Sequence, residues 1–277
     1  MPDPRTDTLR SVSAPKSLAR AAENSTVLRG LARAGYIVLG VVHVVIGLVA
    51  ISIVTGGGGT ADQSGAMAQI RKTPIGLLLL WLIVLGLLAL AIWQIVEAVV
   101  ERGPDPRKRW GYRAKFIGTA VAYLAIAWTA LVYALGGQSN SVQSSEAFTA
   151  KLLARPGGVI LVALLGLVIS AIGVAFIVRG FTRAFTKHLD LPSGVARPGI
   201  VTFGVVGYVA KGIAVGVAGI LFVVAAFTHD PHKAGGLDGA LHTLATLPFG
   251  AVILWVVGAG LVIYGVFCFA RARYARM

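Results

Sequence analysis

Six uninterrupted apolar blocks, each about as long as a bilayer core is thick, constrain this chain more than any other feature. They run approximately over residues 36–54, 75–96, 116–135, 159–178, 205–227 and 249–270. A helix needs roughly 20 consecutive apolar residues to cross a hydrocarbon core of about 30 Å. Lipid offers no partner for backbone amides, so only helices and closed barrels cross it, and these blocks are about twice the length of a barrel strand. The expectation is six transmembrane helices. The charge content is consistent: 13% of the 277 residues are charged, against about 25% in soluble domains. The spans use most of the apolar residues, so no separate soluble domain is expected. About thirty polar residues precede the first block and no small-residue cleavage pattern closes it. It is therefore read as a retained helix rather than a signal peptide.

The formal net charge of +14 would suit a nucleic-acid surface, but its distribution points elsewhere. Nineteen of the 25 Lys and Arg residues fall before the first block, between blocks two and three, between four and five, and after the sixth. Five fall in the other three connections, and Lys211 lies inside block five. Cytoplasmic loops carry such an excess. The expectation is a multi-pass protein of the plasma (inner) membrane with both termini cytoplasmic. Its basic loops would meet the anionic headgroups of membrane lipids. Nucleic acid is not an expected partner, because the basic residues lie in short segments beside the membrane.

The blocks also repeat. Gly35-Tyr36, Gly111-Tyr112 and Gly207-Tyr208 each open an odd-numbered span. Each odd span leads through a polar loop to a short Ala-initiated stretch, long enough for about two helical turns. That stretch ends in Pro74-Ile75-Gly76, Pro156-Gly157-Gly158 or Pro248-Phe249-Gly250 just before the even span. Gly86-Leu87, Gly166-Leu167 and Gly260-Leu261 recur within the even spans, and Trp81 and Trp255 both follow their proline by seven residues. The prolines are expected in the first turn of each even helix, where a missing N–H is no loss. Tyr36, Tyr112, Tyr208 and Trp110 are expected as anchors at the headgroup level. Parallel repeats are related by rotation about the membrane normal. The fold class expected is therefore all-α integral membrane: six transmembrane helices in three parallel two-helix repeats, forming a pseudo-threefold bundle. Gly212 and Gly216, with Gly86, Gly166 and Gly260, are the candidate helix-packing positions, because small residues let backbones approach.

This tripled Gly-Tyr hairpin with Pro-x-Gly before each second helix resembles the bacterial, mainly actinobacterial, membrane family called domain of unknown function 1206. The likeness covers about residues 30–271. It implies a six-helix plasma-membrane protein and supplies no catalytic residues. In the second unit Gly157 reads as an insertion, and Ala163 stands where the other units have Trp81 and Trp255. The division expected is a tail over 1–34, disordered to about residue 16 and then a short amphipathic helix from Ser17 to Arg33, followed by units 35–103, 104–190 and 191–277.

Embedded polar residues are candidate functional groups, because burying them is expensive. They are His43, Gln94, Glu97 and Lys211. Lys211 is expected to extend toward the headgroups, with Glu97 solvated or paired to Lys211 or Lys115. His43 is expected to bond a neighbouring carbonyl or hydroxyl. No second axial ligand lies at membrane depth, so no haem is expected, nor any other cofactor. His229, His232, Asp238 and His242 share one loop and are residue types that suit zinc, but the other units have no equivalent, and an ordinary polar loop is the better reading. The lone cysteine, Cys268, excludes an internal disulfide and reads as a core residue. Neither a phosphate-binding glycine motif nor a Ser/His/Asp set appears, so no enzyme is expected. Two functions remain: an accessory or scaffold protein binding lipid or a partner membrane complex, and a small channel or transporter for an apolar or neutral solute.

Overall fold

The computed structural model describes residues 25–100, 106–192, 194 and 196–275. The expected disordered stretch and the start of the short tail helix lie outside them. Nine α-helices are present among the described residues: α1 (Thr26–Val54), α2 (Gln63–Arg71), α3 (Gly76–Val100), α4 (Pro106–Ala134), α5 (Ser141–Leu153), α6 (Gly158–Phe181), α7 (Ala196–Thr228), α8 (Gly236–Thr246) and α9 (Gly250–Tyr274). Six are long and apolar enough to cross a membrane: α1, α3, α4, α6, α7 and α9. Leucine, isoleucine and valine cover their outer faces; Leu78 on α3 and Ile160 on α6 are 61% and 72% exposed. A surface this apolar suits lipid rather than water.

The long helices outrun their apolar blocks. α4 begins at Pro106, so the basic run through Lys115 is helical rather than a connecting loop. Likewise α1 is continuous from Thr26, so the tail residues from there to Arg33 belong to the same helix as the first span and not to a separate surface helix. Both extensions put Arg and Lys on helical turns beyond the apolar blocks, where long side chains can reach polar surroundings at little cost.

Each hairpin of long helices carries one short helix: α2, α5 or α8. α2 starts where Asp62 accepts the Gly65 N–H at 2.9 Å, and α5 where Asn140 accepts the Gln143 N–H at 3.1 Å, a common way to satisfy free amides at a helix start. The prolines are not in the first turn of the even helices. Each is the second residue of a four-residue turn, closed by Gly76 N–H to Thr73 O (2.9 Å), Gly158 N–H to Arg155 O (2.9 Å) and Gly250 N–H to Leu247 O (2.7 Å). Proline suits that position because its φ is already set. The glycine ending each turn starts the long helix in all three units. Gly157 is therefore not an insertion; it occupies the place of Ile75 and Phe249. A Cβ on Gly76, Gly158 or Gly250 would strike a carbonyl of the preceding short helix, which accounts for the glycine in the motif.

The segments around the short helices interlock at one end of the bundle. The Ala61 N–H donates to Asp238 Oδ1 at 2.6 Å, joining the third unit to the first. Ser141 N–H reaches Ser64 Oγ at 3.3 Å and the Arg71 guanidinium donates to Tyr133 O, joining first and second. His232 meets Glu146 at 3.2 Å, joining second and third.

Neighbouring long helices follow the order α4, α3, α1, α9, α7, α6, while α4 and α6, the two long helices of the second unit, make no extensive contact. The most extensive helix contacts lie between units. On α1 and α9 a Cβ at Gly40 would lie 2.7 Å from Gly265 O, and one at Gly47 would lie 2.5 Å from Gly258 O. On α6 and α7, Gly166 stands in the same way against Gly219 O at 2.7 Å, and Gly212 against Gly173 O at 2.7 Å. The two glycines on each helix are two turns apart on one face, so antiparallel backbones stay in contact over that length. Gly86 backs onto Gly35, and Gly260 onto Ala210. Gly216 departs from the packing role expected of it. Its own Cβ would meet nothing within 4 Å, although Gly173 packs on its backbone.

Candidate functional site: cations and tyrosines inside the bundle

The interior between α1, α7 and α9 is filled by aromatic rings and half-buried cations. Tyr208 from α7 meets Tyr264 from α9 edge-on at 5.4 Å and Phe267 at 5.8 Å. Phe185 comes from the 3-10 turn Ala184–His188 that follows α6; it stacks on Tyr208 at 5.3 Å and contacts Phe267 edge-on at 5.2 Å. Tyr36, Tyr208, Tyr264, Phe185 and Phe267 are all buried. Ring pairs of this kind are worth about 0.5–1.5 kcal/mol each beyond their buried area. Tyr36 and Tyr208 are therefore not the interfacial anchors that their Gly-Tyr motifs suggest. The adjacent glycines draw a second helix so close that the rings lie inside the bundle: a Cβ on Gly207 would lie 2.6 Å from Tyr264 Cα. Tyr112 and Trp110 are 48% and 67% exposed; Lys115 lies 5.9 Å from the Tyr112 ring, and Arg113 lies 5.8 Å from that of Trp110.

Lys211 does not extend toward the end of its helix. Its ammonium lies 4.5 Å from the Tyr264 ring centre, 3.4 Å from the Tyr264 hydroxyl and 5.2 Å from the Phe176 ring. Aromatic faces attract cations, more strongly where water is excluded. His43 completes this group. Its ring sits 4.8 Å from that of Tyr264, and its Nδ1 donates to Leu39 O at 2.8 Å, the neighbouring carbonyl expected from sequence. His43 is eleven residues from the end of α1, or about 16 Å along the helix, which puts the group near mid-depth. Toward the basic end, the Arg271 guanidinium lies 4.3 Å from the Tyr36 ring, and Arg179 from α6 lies 5.6 Å from that of Tyr208. Glu97 is half-buried on α3 and is an electrostatic neighbour of Tyr36, not the partner of Lys211. Gln94, one turn earlier, is half-buried and outside these contacts. Cys268 is buried in the same core.

Sequence reasoning did not find Tyr264, Phe185, Arg179 or Arg271 as members of this group. Arg271 reads as one more charge of a basic tail, and only the continuation of α9 to Tyr274 turns it inward. The histidine-rich loop is dispersed instead of gathered. His232 meets Glu146, and His242 faces Asp238 at 3.4 Å. Among the described residues no three His, Cys, Asp or Glu side chains are close enough to hold a metal ion.

Asp238 links units through the Ala61 N–H, and its environment makes stability depend on pH. Burial pushes its carboxyl above the usual range, outweighing the lowering by the Ala61 N–H and His242; nearby Asp62 raises it further. A carboxylate raised by folding is penalised when ionised. That penalty is fully present above the folded value and is relieved as pH falls through it. The contribution of this residue to thermal stability in detergent is thus expected to rise as pH drops from 7 toward the ordinary carboxylate range. Asp238→Asn, which keeps an oxygen for Ala61, should flatten the rise. A steeper fall in stability for wild type than for the variant would show that pairing with His242 outweighs burial.

A chain of three helix pairs, each with a short helix at one end and with its most extensive helix contacts between pairs, defines a class of small multi-pass membrane protein. The family comparison is more specific. Residues 34–101, 114–183 and 206–275 each match the family described as Domain of Unknown Function (DUF1206), and the chain belongs to that family. It is also 30% identical over 260 residues to "Uncharacterized protein YxxB" of Bacillus subtilis (strain 168), covering 92% of this chain and 94% of that protein. No solved structure matches the chain.

The three matches correct the repeat register. Gly40, Ala120 and Gly212 each stand six residues past the start of their match, and Gly47, Ala127 and Gly219 thirteen. All are buried. Tyr36, Phe116 and Tyr208 each stand two residues past the start of their match, and Tyr112 lies before the start of the second match. Counting back from the ends, Gly258 and Gly265 correspond to Gly166 and Gly173 and to Val84 and Ala91. Gly166 is therefore not the equivalent of Gly86 and Gly260. Gly-Leu pairs are frequent in helices rich in both residues, and the contact face rather than the dipeptide sets the register.

Proposed function

We propose that this protein is a non-enzymatic scaffold of the plasma membrane, acting through its outer and basic-end surfaces to bind lipid or a partner membrane complex. The observation that carries this reading is the filled interior. Tyr36, Tyr208, Tyr264, Phe267 and Phe185 fill the space between α1, α7 and α9, and the short helices interlock at the opposite end. The His43 ring is committed to Leu39 O and lies against Tyr264, which supports a packing role over catalysis. The basic end is read as cytoplasmic from the distribution of Lys and Arg. A pseudo-threefold relation is supported by the pairing of each odd-numbered span with the even span of another unit: α4 on α3, α7 on α6, and α1 on α9.

A second reading, a conduit for an apolar or neutral solute, is favoured by one observation. α4 and α6 make no extensive contact, which leaves the flank of the second unit open toward lipid. Native mass spectrometry after gentle extraction, beside flux measurements in proteoliposomes, separates the two. The scaffold reading expects reproducibly retained lipid or protein mass and no flux above protein-free vesicles. Solute flux that disappears when α4 is cross-linked to α6 would overturn it.

A further inference from the structure

We infer that the basic ends of α1 and α9 form a site for one anionic phospholipid, its phosphate held between Arg33 and Arg273. The inference rests on the lipid-binding arm of the scaffold reading and assigns it a place. The Gly40–Gly265 contact fixes the two antiparallel helices against each other. Arg33 lies seven residues before Gly40, and Arg273 eight residues after Gly265. Both are therefore about two turns beyond the same contact, at one level. Between them lies a groove of about 570 Å³ lined by Arg33, Ile37, Phe269, Ala272, Arg273 and Tyr274.

The lining is amphiphilic in a fixed order. Ile37 is four residues past Arg33, and Phe269 four residues before Arg273, so each guanidinium has an apolar residue one turn nearer mid-depth on the same face. Both arginines are exposed, and no carboxylate among the described residues pairs with either. The Arg273 guanidinium lies 5.8 Å from the ring of its neighbour Tyr274. Phe269 also borders a second groove, on the other flank of α9, whose apolar lining includes Phe203 and Val266. Two guanidinium forks match the oxygens of a phosphate. The apolar surfaces on both sides of Phe269 match acyl chains, which a free phosphate lacks.

The test uses the full chain in phosphatidylcholine nanodiscs doped with phosphatidylglycerol, read by native mass spectrometry. Wild type should retain one phosphatidylglycerol per chain in preference to phosphatidylcholine. Arg33→Gln/Arg273→Gln should weaken that retention about tenfold or more, with an unchanged melting temperature because both side chains are exposed. Arg33→Lys/Arg273→Lys should retain less than wild type, since lysine lacks the planar fork. Equal retention by wild type and the Gln variant would overturn this site while leaving the lipid-binding reading intact. No lipid retained by wild type would overturn both. Competition by millimolar inorganic phosphate would overturn the lipid assignment in favour of a free-phosphate site.

Discussion

Gly265→Leu is expected to destabilise the protein by about 3 kcal/mol, the upper end of typical overpacking costs, and to lower its melting temperature sharply in mild detergent. The reason is geometric. The new Cβ would sit 2.6 Å from Gly40 O and 2.9 Å from the Val44 backbone nitrogen. Neither backbone atom can turn aside as a side-chain end could, so α9 must move off α1. That contact is one of two glycine contacts joining the first long helix to the last, and its loss should broaden the size-exclusion peak as well. Gly216→Ala is the control, because its Cβ meets nothing within 4 Å. It should stay within about 0.5 kcal/mol, or gain slightly from better helix propensity. A melting temperature for Gly265→Leu equal to wild type would mean that α1 and α9 do not touch at that level.

Lys211→Met is expected to stabilise the protein by about 1 kcal/mol, the lower end of the gain when buried ion pairs give way to apolar side chains of similar volume, because Lys211 is half-buried. The ammonium has the Tyr264 hydroxyl at 3.4 Å and two ring faces, and no carboxylate among the described residues pairs with it. Tyr264→Phe should act in the opposite direction and cost about 1–3 kcal/mol, because it removes that oxygen while leaving the charge inside. In the double variant the loss from Tyr264→Phe should largely vanish, the signature of direct coupling in a double-mutant cycle. Thermal unfolding of the four proteins decides the matter. A clear loss of stability in Lys211→Met alone would show that attraction to the rings outweighs desolvation.

The number of spans, the three short helices and the family were legible because they depend on local rules. An apolar block of about twenty residues must be helical in lipid whatever surrounds it. The ends of the spans beside the short helices were legible for the same reason, but the basic ends were not, since α1 and α4 run on past their apolar blocks. The Pro-x-Gly landmark was read correctly as a boundary, though its proline belongs to the preceding turn. The site was legible only in part. His43 and Lys211 stand out as polar residues in apolar runs, and the His43 bond to Leu39 lies within one turn of its own helix. Where the Lys211 side chain points depends on α9, fifty-three residues away at Tyr264, so it could not be read from its distance to the helix end.

That the chain is a helical membrane protein built of three units follows from its segments taken one at a time, since backbone satisfaction and hydrocarbon thickness act on each segment alone. Which helices meet does not. Packing paired α1 with α9 and α6 with α7, set the repeat register by their glycine faces, turned Tyr36, Tyr208 and Arg271 inward, and left α4 and α6 apart. In lipid every helix face is almost equally apolar, so hydrophobicity does not choose a partner; close fit between backbones does, and fit is a property of two surfaces together.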